Sequence, residues 1–327
     1  MDVIVPQYIK SPSLSVSGYA TLVSVQLGAG SPLPEPSTGI WSISATYAAD
    51  DVVYFMPTTG RDIGIWKTYK AIIGSTGAEP PEYGVDENWV DQGAIEKYKA
   101  FDYYSNTVLE TDAMSATIQF TCKNITSLAL INTQCYSVHI TGWQTGTPGT
   151  VLIDELISIY QPTTSFFSWF FDDFEYSRNI TIPDNDSISL YSSLTIQIAF
   201  TGISGVPIKC GAIIPGRRYN VGKSLYGIVT GIKDYSKKVV DDVTGDKYLQ
   251  VGNYTDKMSC DLRVDNINKN IVNSILRQLR ATPTVWQGNQ GGTEYDDILI
   301  YGNISEFSIV HKGTNYSEVS LEIEGLI

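Results

Sequence analysis

The sequence predicts a mainly β, multidomain protein: a small aromatic β module, an antiparallel β-sandwich, and a C-terminal β domain with one packed helix. Three observations predict it. Tyr, Thr, Ser, Val and Ile dominate, with 21 Tyr against 4 Met, and such residues favour strands. Short apolar–polar alternations recur between turn residues, at intervals of roughly 10–25 residues. One segment near the C-terminus has helical spacing instead.

Residues 1–40 are rich in Pro, Ser and Gly and read as an extended arm that reaches a neighbouring subunit. The arm contains one expected strand, Ala20 to Leu27, and the linker-like run S-P-L-P-E-P-S-T-G. Residues 41–102 form the small module. Its short strands are bounded by Asp-Asp, Thr-Thr-Gly and Gly-Ala-Glu-Pro-Pro turn signals. So short a segment has little core, so Trp41, Tyr47, Tyr54, Tyr69 and Trp89 are expected to hold it together.

Residues 103–215 alternate in A-T-I-Q-F-T-C, S-L-A-L-I-N, Y-S-V-H-I-T-G, V-L-I-D-E-L-I-S-I-Y and L-T-I-Q-I-A-F, the pattern of an antiparallel sandwich. Residues 216–327 hold the helix, expected over 265–281. Its stripe is Ile267, Ile271, Val272, Ile275, Leu276 and Leu279, with Ile271 and Ile275 expected to be buried. Asp265 or Asn266 is the expected cap, and Pro283 lies past the end. Strands are expected at 225–232, 247–251, 258–264, 284–286, 298–310 and 317–323.

The formal net charge of −13 argues against nucleic acid and against an anionic membrane surface. No apolar run approaches the ~20 residues of a membrane span, and no secretory leader is seen at the start. Cys122, Cys135, Cys210 and Cys260 form no C-x-x-C pair and have no His at ligand spacing. They read as buried thiols, with a Cys122–Cys135 bridge as the alternative, and no metal or cofactor is implied.

The chemical motifs are sparse. Gly216-Arg-Arg-Tyr-Asn-Val-Gly222-Lys223-Ser224 has five residues between its glycines where a phosphate loop has four, and a strand pattern follows it instead of a helix. It reads as a turn between domains. Only His139 and His311 could serve a Ser–His–Asp arrangement, so no catalytic residue is assigned. The pairs Asp50-Asp51, Asp172-Asp173, Asp241-Asp242 and Asp296-Asp297 suit turns better than paired catalytic carboxylates, since neighbours on a strand point to opposite faces.

The stretch from Trp41, through Thr68-Tyr69-Lys70-Ala71, to Trp89-Val-Asp-Gln-Gly93 resembles the small chitin-binding-like modules of carbohydrate-active enzymes. Such modules stack exposed aromatic rings on sugars just after the strand matching Thr68–Ala71, where this chain has Ile72-Ile73. Trp66, Tyr83 and Trp89 are the remaining candidate glycan-binding residues. The run into Lys99-Ala100-Phe101-Asp102 resembles bacteriophage virion proteins that carry such a module. Residues 231–246, 280–286 and 301–309 look like segments of the same proteins. The lead-in F-D-x-x-S-N-T-V resembles galactose-binding jelly-roll domains, and the C-terminal strands with one helix resemble the phage tail-tube plan.

These resemblances imply a non-enzymatic structural protein of a phage tail, at the tail tip or baseplate, made in the host cytoplasm. It would assemble as a homo-oligomeric ring with other tail proteins as partners, presenting its outer domains to fibres or the host surface. A carbohydrate-binding adsorption protein is the alternative, and a tail-borne glycan hydrolase the third reading.

Overall fold

A computed structural model describes residues 1–12, 18–60, 62–82, 84–147, 149–159, 179–182, 191–240, 247–288 and 299–326. The chain is mainly β, in largely antiparallel sheets. It clusters into two units: Gln7–Pro215, and Met1–Pro6 together with Gly216–Ile327.

In the unit Gln7–Pro215, a six-stranded sheet has the order Val151–Ser158, Ser137–Gln144, Leu194–Thr201, Ser115–Cys122, Ala20–Leu27, Ile9–Lys10. Alternation sets its buried face. Ser115–Cys122 turns Ala116, Ile118, Phe120 and Cys122 inward, and Ile118 and Phe120 lie opposite Ile198 and Ile196. The same core takes Leu128, Leu130, Ile180, Ile208 and Cys210 from strands of the second sheet, which gives a sandwich. All four cysteines of the chain are buried free thiols, and burial pushes Cys122, Cys135 and Cys210 up to about 12.

The small module belongs to this unit. Val52–Phe55, Lys67–Ala71 and Trp89–Ala94 form its three-stranded sheet, and Thr46–Tyr47 pairs with Ser75–Thr76. Val53, Tyr69, Ala71 and Trp89 make a small core of their own. The module is nevertheless joined to the sandwich. Ile65 and Trp66 enter the sandwich core, as do Tyr98, Ala100 and Phe101 from the 3-10 helix Glu96–Phe101.

The expected free arm at residues 1–40 gives way to three integrated segments. Ala20–Leu27 pairs with Ser115–Cys122. In the linker-like run, the Glu35 carboxylate accepts from Tyr98 Oη at 2.6 Å and from Ser11 Oγ at 2.9 Å. Asp2–Pro6 is an internal strand of the other unit, between residues 216–220 and Thr284–Gln287. Backbone groups explain this last placement, because an internal strand satisfies both of its hydrogen-bonding edges. A buried ion pair adds to it: Asp2 accepts from Arg218 Nε at 3.0 Å and from Asn220 Nδ2 at 2.8 Å.

Most strands of that second unit belong to one sheet, with Lys237–Val240 and Lys247–Gln250 forming a separate pair. From Asp2–Pro6 the sheet continues through Thr284–Gln287, Leu299–His311, Tyr316–Gly325 and Tyr254–Asp265, which also pairs with Lys223–Ser224 and Val229–Asp234. Strand Ile208–Asn220 contributes its residues from Gly216 onward. Residues 216–224, expected as a turn, are therefore a strand end, a bend at Gly222 and a short strand.

The helix spans Lys269–Gln278, shorter than expected, and Asn268 rather than Asp265 or Asn266 is its N-cap residue. The Asn266 side chain instead donates to the carbonyls of Gly313 and Thr314. Val272, Leu276 and Leu279 pack on the sheet, Ile275 sits at the margin, and Ile271 stays 60% exposed, against the expected burial. The apolar stripe is wider than one line of contact, and the sheet takes its 272/276/279 side. Leu276→Asp should therefore abolish folding of this unit, by burying an unpaired charge. Ile271→Asp should stay within about 0.5 kcal/mol of the parent. Denaturant unfolding of the two variants checks the pair.

Candidate functional site

The module's aromatic residues act on one loop. The indole nitrogens of Trp41 and Trp89 both donate to the Ala78 carbonyl, each at 3.0 Å. Tyr69 Oη donates to Pro81 O at 2.6 Å, and Lys67 Nζ to Glu82 O at 3.0 Å. The Gly/Pro/Glu-rich turn, which has few backbone partners of its own, is thus fastened carbonyl by carbonyl. Gly60, at φ 77°, lies behind it, and a Cβ there would overlap the Glu82 carboxylate.

Beneath the loop lies a buried charge cluster. Lys67 pairs with Asp62 and, at 2.8 Å, with Asp91. Burial pulls the Lys67 ammonium down, and the two carboxylates outweigh it, so the group lies above its ordinary value. Asp102, at the end of the 3-10 helix, is buried nearby. It accepts from Thr107 Oγ1 at 2.5 Å and from the Tyr104 N–H at 3.0 Å. Burial pushes it up to about 7, against the pull of those hydrogen bonds.

The structure removes two of the three candidate glycan-binding residues from the surface. Trp89 is fully buried, edge-on to Tyr47 with ring centroids 5.3 Å apart. Trp66 is buried in the sandwich core. Neither ring face can stack on a sugar. Tyr83 lies outside the described residues. Among the described residues, the large apolar side chains that the module exposes are aliphatic: Ile43, Val52, Ile72, Ile73 and Val85.

Other sequence candidates resolve into structural roles. Asp50 pairs with Lys70 and Asp51 accepts from the Ala48 N–H, as turn residues do. The pairs at 172–173, 241–242 and 296–297 lie outside the described residues. His139 Nε2 meets Asp154 Oδ1 at 2.6 Å on the exposed face of two neighbouring strands. His311 Nδ1 lies 3.1 Å from Ser317 Oγ, but Ser317 is fully buried and its hydroxyl bonds Asn266. Among the described residues, no group of three or more His, Cys, Asp or Glu is placed to hold a metal ion.

The feature that sequence reasoning missed is a ribbon. Val229–Asp234 pairs with Tyr254–Ser259, and beyond a short break Lys237–Val240 pairs with Lys247–Gln250 as a separate two-stranded sheet. Ile232, Tyr248, Leu249, Val251 and Tyr254 are each more than half exposed. Lys233 and Tyr235 tie the base to Glu324, and the hydrogen bond from Lys233 holds that carboxyl below its usual range. The runs 225–232 and 247–251 are legible in the sequence as strands, but their partners, 254–259 and 237–240, are not adjacent to them in that reading. Among the described residues, no helix or strand covers its apolar side chains.

No protein-family model matches the chain, and no curated protein matches it.

The position of Asp102 generates a pH prediction. Its folded pKa lies above the ordinary carboxylate value of about 4, so the folded state holds that proton more tightly than the unfolded chain. Stability from this group is full below about pH 4 and is lost as pH rises towards about 7. Asp102→Asn should remove that decline. The ceiling is about 4 kcal/mol, from roughly three pH units at about 1.4 kcal/mol each. Urea midpoints at about pH 5 and about pH 8 check it; parallel slopes in parent and variant would contradict it.

Proposed function

We propose that this chain is a structural component of a bacteriophage virion, at the tail tip or baseplate, and that it assembles as a homo-oligomeric ring. The observation that carries the reading is the ribbon of residues 229–240 and 247–258. A two-stranded ribbon on its own is marginal in water. This one leaves its sheet with apolar side chains uncovered, which is the state of a surface that a neighbouring subunit buries. The sequence likeness of residues 99–102, 231–246, 280–286 and 301–309 to phage structural proteins supports the setting. The module, joined to the sandwich core through Trp66 and Phe101, would then be a fixed outward domain facing fibres or host surface.

The carbohydrate-binding alternative loses support because Trp66 and Trp89 are covered. The exposed Ile72 and Ile73 favour protein docking at that surface over sugar stacking.

Light scattering across a concentration series tests the assembly. The parent should form a discrete oligomer. Ile232→Glu with Leu249→Glu should remain monomeric with unchanged secondary structure, since both positions are exposed within one chain. A parent that stays monomeric at every concentration and is absent from particles would sink the proposal.

A further inference from the structure

The second unit carries a cleft of about 370 Å³ beside its helix. One wall is a flank of the helix. Lys269, Asn273 and Arg277 follow one another there at i, i+4 and i+8, a row about 12 Å long at about 1.5 Å per residue. The other wall is strand Leu299–His311, where Phe307, Ile309 and His311 alternate onto one face over about 13 Å. The two walls run in opposite directions. Asn266, just before the helix, donates from its backbone to Asn315 O and from its side chain to Gly313 O and Thr314 O. Lys269 therefore lies at the His311 end of the cleft, and Arg277 at the Phe307 end.

The cleft is cationic. Among the described residues no carboxylate lines it, and neither Lys269 nor Arg277 has an ion-pair partner. Glu318, on the neighbouring strand, is taken by Lys312. On a chain of net charge −13, this is a local positive site.

The strand wall also has an open edge. Leu299–His311 pairs along most of its length with Tyr316–Gly325 on one side. On its other side only residues 299–302 are paired, with Thr284–Gln287. Among the described residues no strand pairs there with 303–311, so a row of backbone donors and acceptors borders the cleft. The far face of this edge has the opposite charge, because Glu306 is exposed on the side away from Phe307.

These features fit an extended acidic segment. In a strand, residues i, i+2 and i+4 share a face, and i and i+4 lie about 13 Å apart, close to the span of the cationic row. Acidic side chains at i and i+4 meet Lys269 and Arg277, and an apolar i+2 lies against Phe307 and Ile309. Glu306 repels acids at the positions between. Among the described strands of this chain, acidic pairs at that spacing are Asp261 with Asp265 and Glu318 with Glu322. Both lie in strands already paired on two sides, so no described strand of a second copy supplies the segment.

We propose that the edge of residues 303–311 receives, by strand addition, an extended acidic segment of a different protein, with carboxylates at i and i+4 on Lys269 and Arg277. This site is independent of the ring assembly proposed above. The cations select the charge, and the edge aligns the backbone.

A fluorescein-labelled heptapeptide with Glu at its second and sixth positions, Val at the fourth and Thr elsewhere is the probe, read by anisotropy on the dilute full chain. It should bind the parent. Lys269→Glu with Arg277→Glu should weaken binding by about tenfold or more, because like charges then meet. The same peptide with Lys in place of both Glu should bind that variant better than it binds the parent. Neither side chain is buried, and thermal melts check the fold; Lys269→Gln with Arg277→Gln should also weaken binding if the reversed variant does not fold. Successive amides of a strand point to opposite edges, so N-methylation of one alternate set in the peptide should abolish binding and of the other set should spare it. No binding to the parent at about 1 mM peptide would overturn the proposal. So would binding that the charge variants leave unchanged, or equal binding of the parent peptide and both methylated forms, which would leave charge attraction without a ladder.

Discussion

Strands hold together here because alternate side chains leave water, and the second unit depends on that alternation being covered along its length. In Tyr254–Asp265, the residues Met258, Cys260, Leu262 and Val264 all enter the core beneath Val272, Leu276 and Leu279. The same face continues outward to Tyr254 and, across the ladder, to Ile232. There the cover ends, and both side chains meet solvent. The helix is ten residues long, and the ribbon lies where no residue of the helix contributes to the cover. The ladder is therefore continuous where the core is not. In the reading proposed above, a second copy completes it.

The aromatic module illustrates a different use of the same residue types. Trp41, Tyr69 and Trp89 look like a binding surface when counted along the chain. Folded, they spend their polar atoms on the carbonyls of Ala78 and Pro81. A short segment with a long Gly/Pro/Glu-rich turn has no ladder to satisfy that turn, so large side chains with one polar tip take over the task. Lys67 completes the row, and its charge is tolerated because Asp62 and Asp91 lie against it. Among the described residues, the large apolar side chains left exposed on the module are aliphatic.

Local periodicity made much of the architecture legible. Ser115–Cys122 and Ser137–Gln144 alternate cleanly because one face of each meets the core and the other does not. Asp2–Pro6 gave no such signal. It is internal, its first three residues are buried, and it ends on Pro, so alternation is absent. Ile208–Asn220 was hidden in the same way by a run of buried residues containing Gly211 and Pro215. The pairing of Asp2 with Arg218, 216 positions apart, has no local signature at all. For the helix, spacing identified the stripe but could not decide which side of it the sheet would take. Trp66 was misjudged for a related reason: its burial comes from the sandwich, which lies outside the module's own pattern.

Backbone amide exchange along residues 229–240 and 247–258 tests the central claim most directly, because it reads the cover of the ribbon residue by residue. Dilute protein should exchange rapidly at Gly231 to Asp234 and at Lys247 to Gln250, while Leu262 and Val319 stay protected. On assembly, and in purified particles, the ribbon amides should become protected with them. Equal and strong protection of the ribbon in the dilute chain, or exchange that remains fast in the assembled state, would contradict the account.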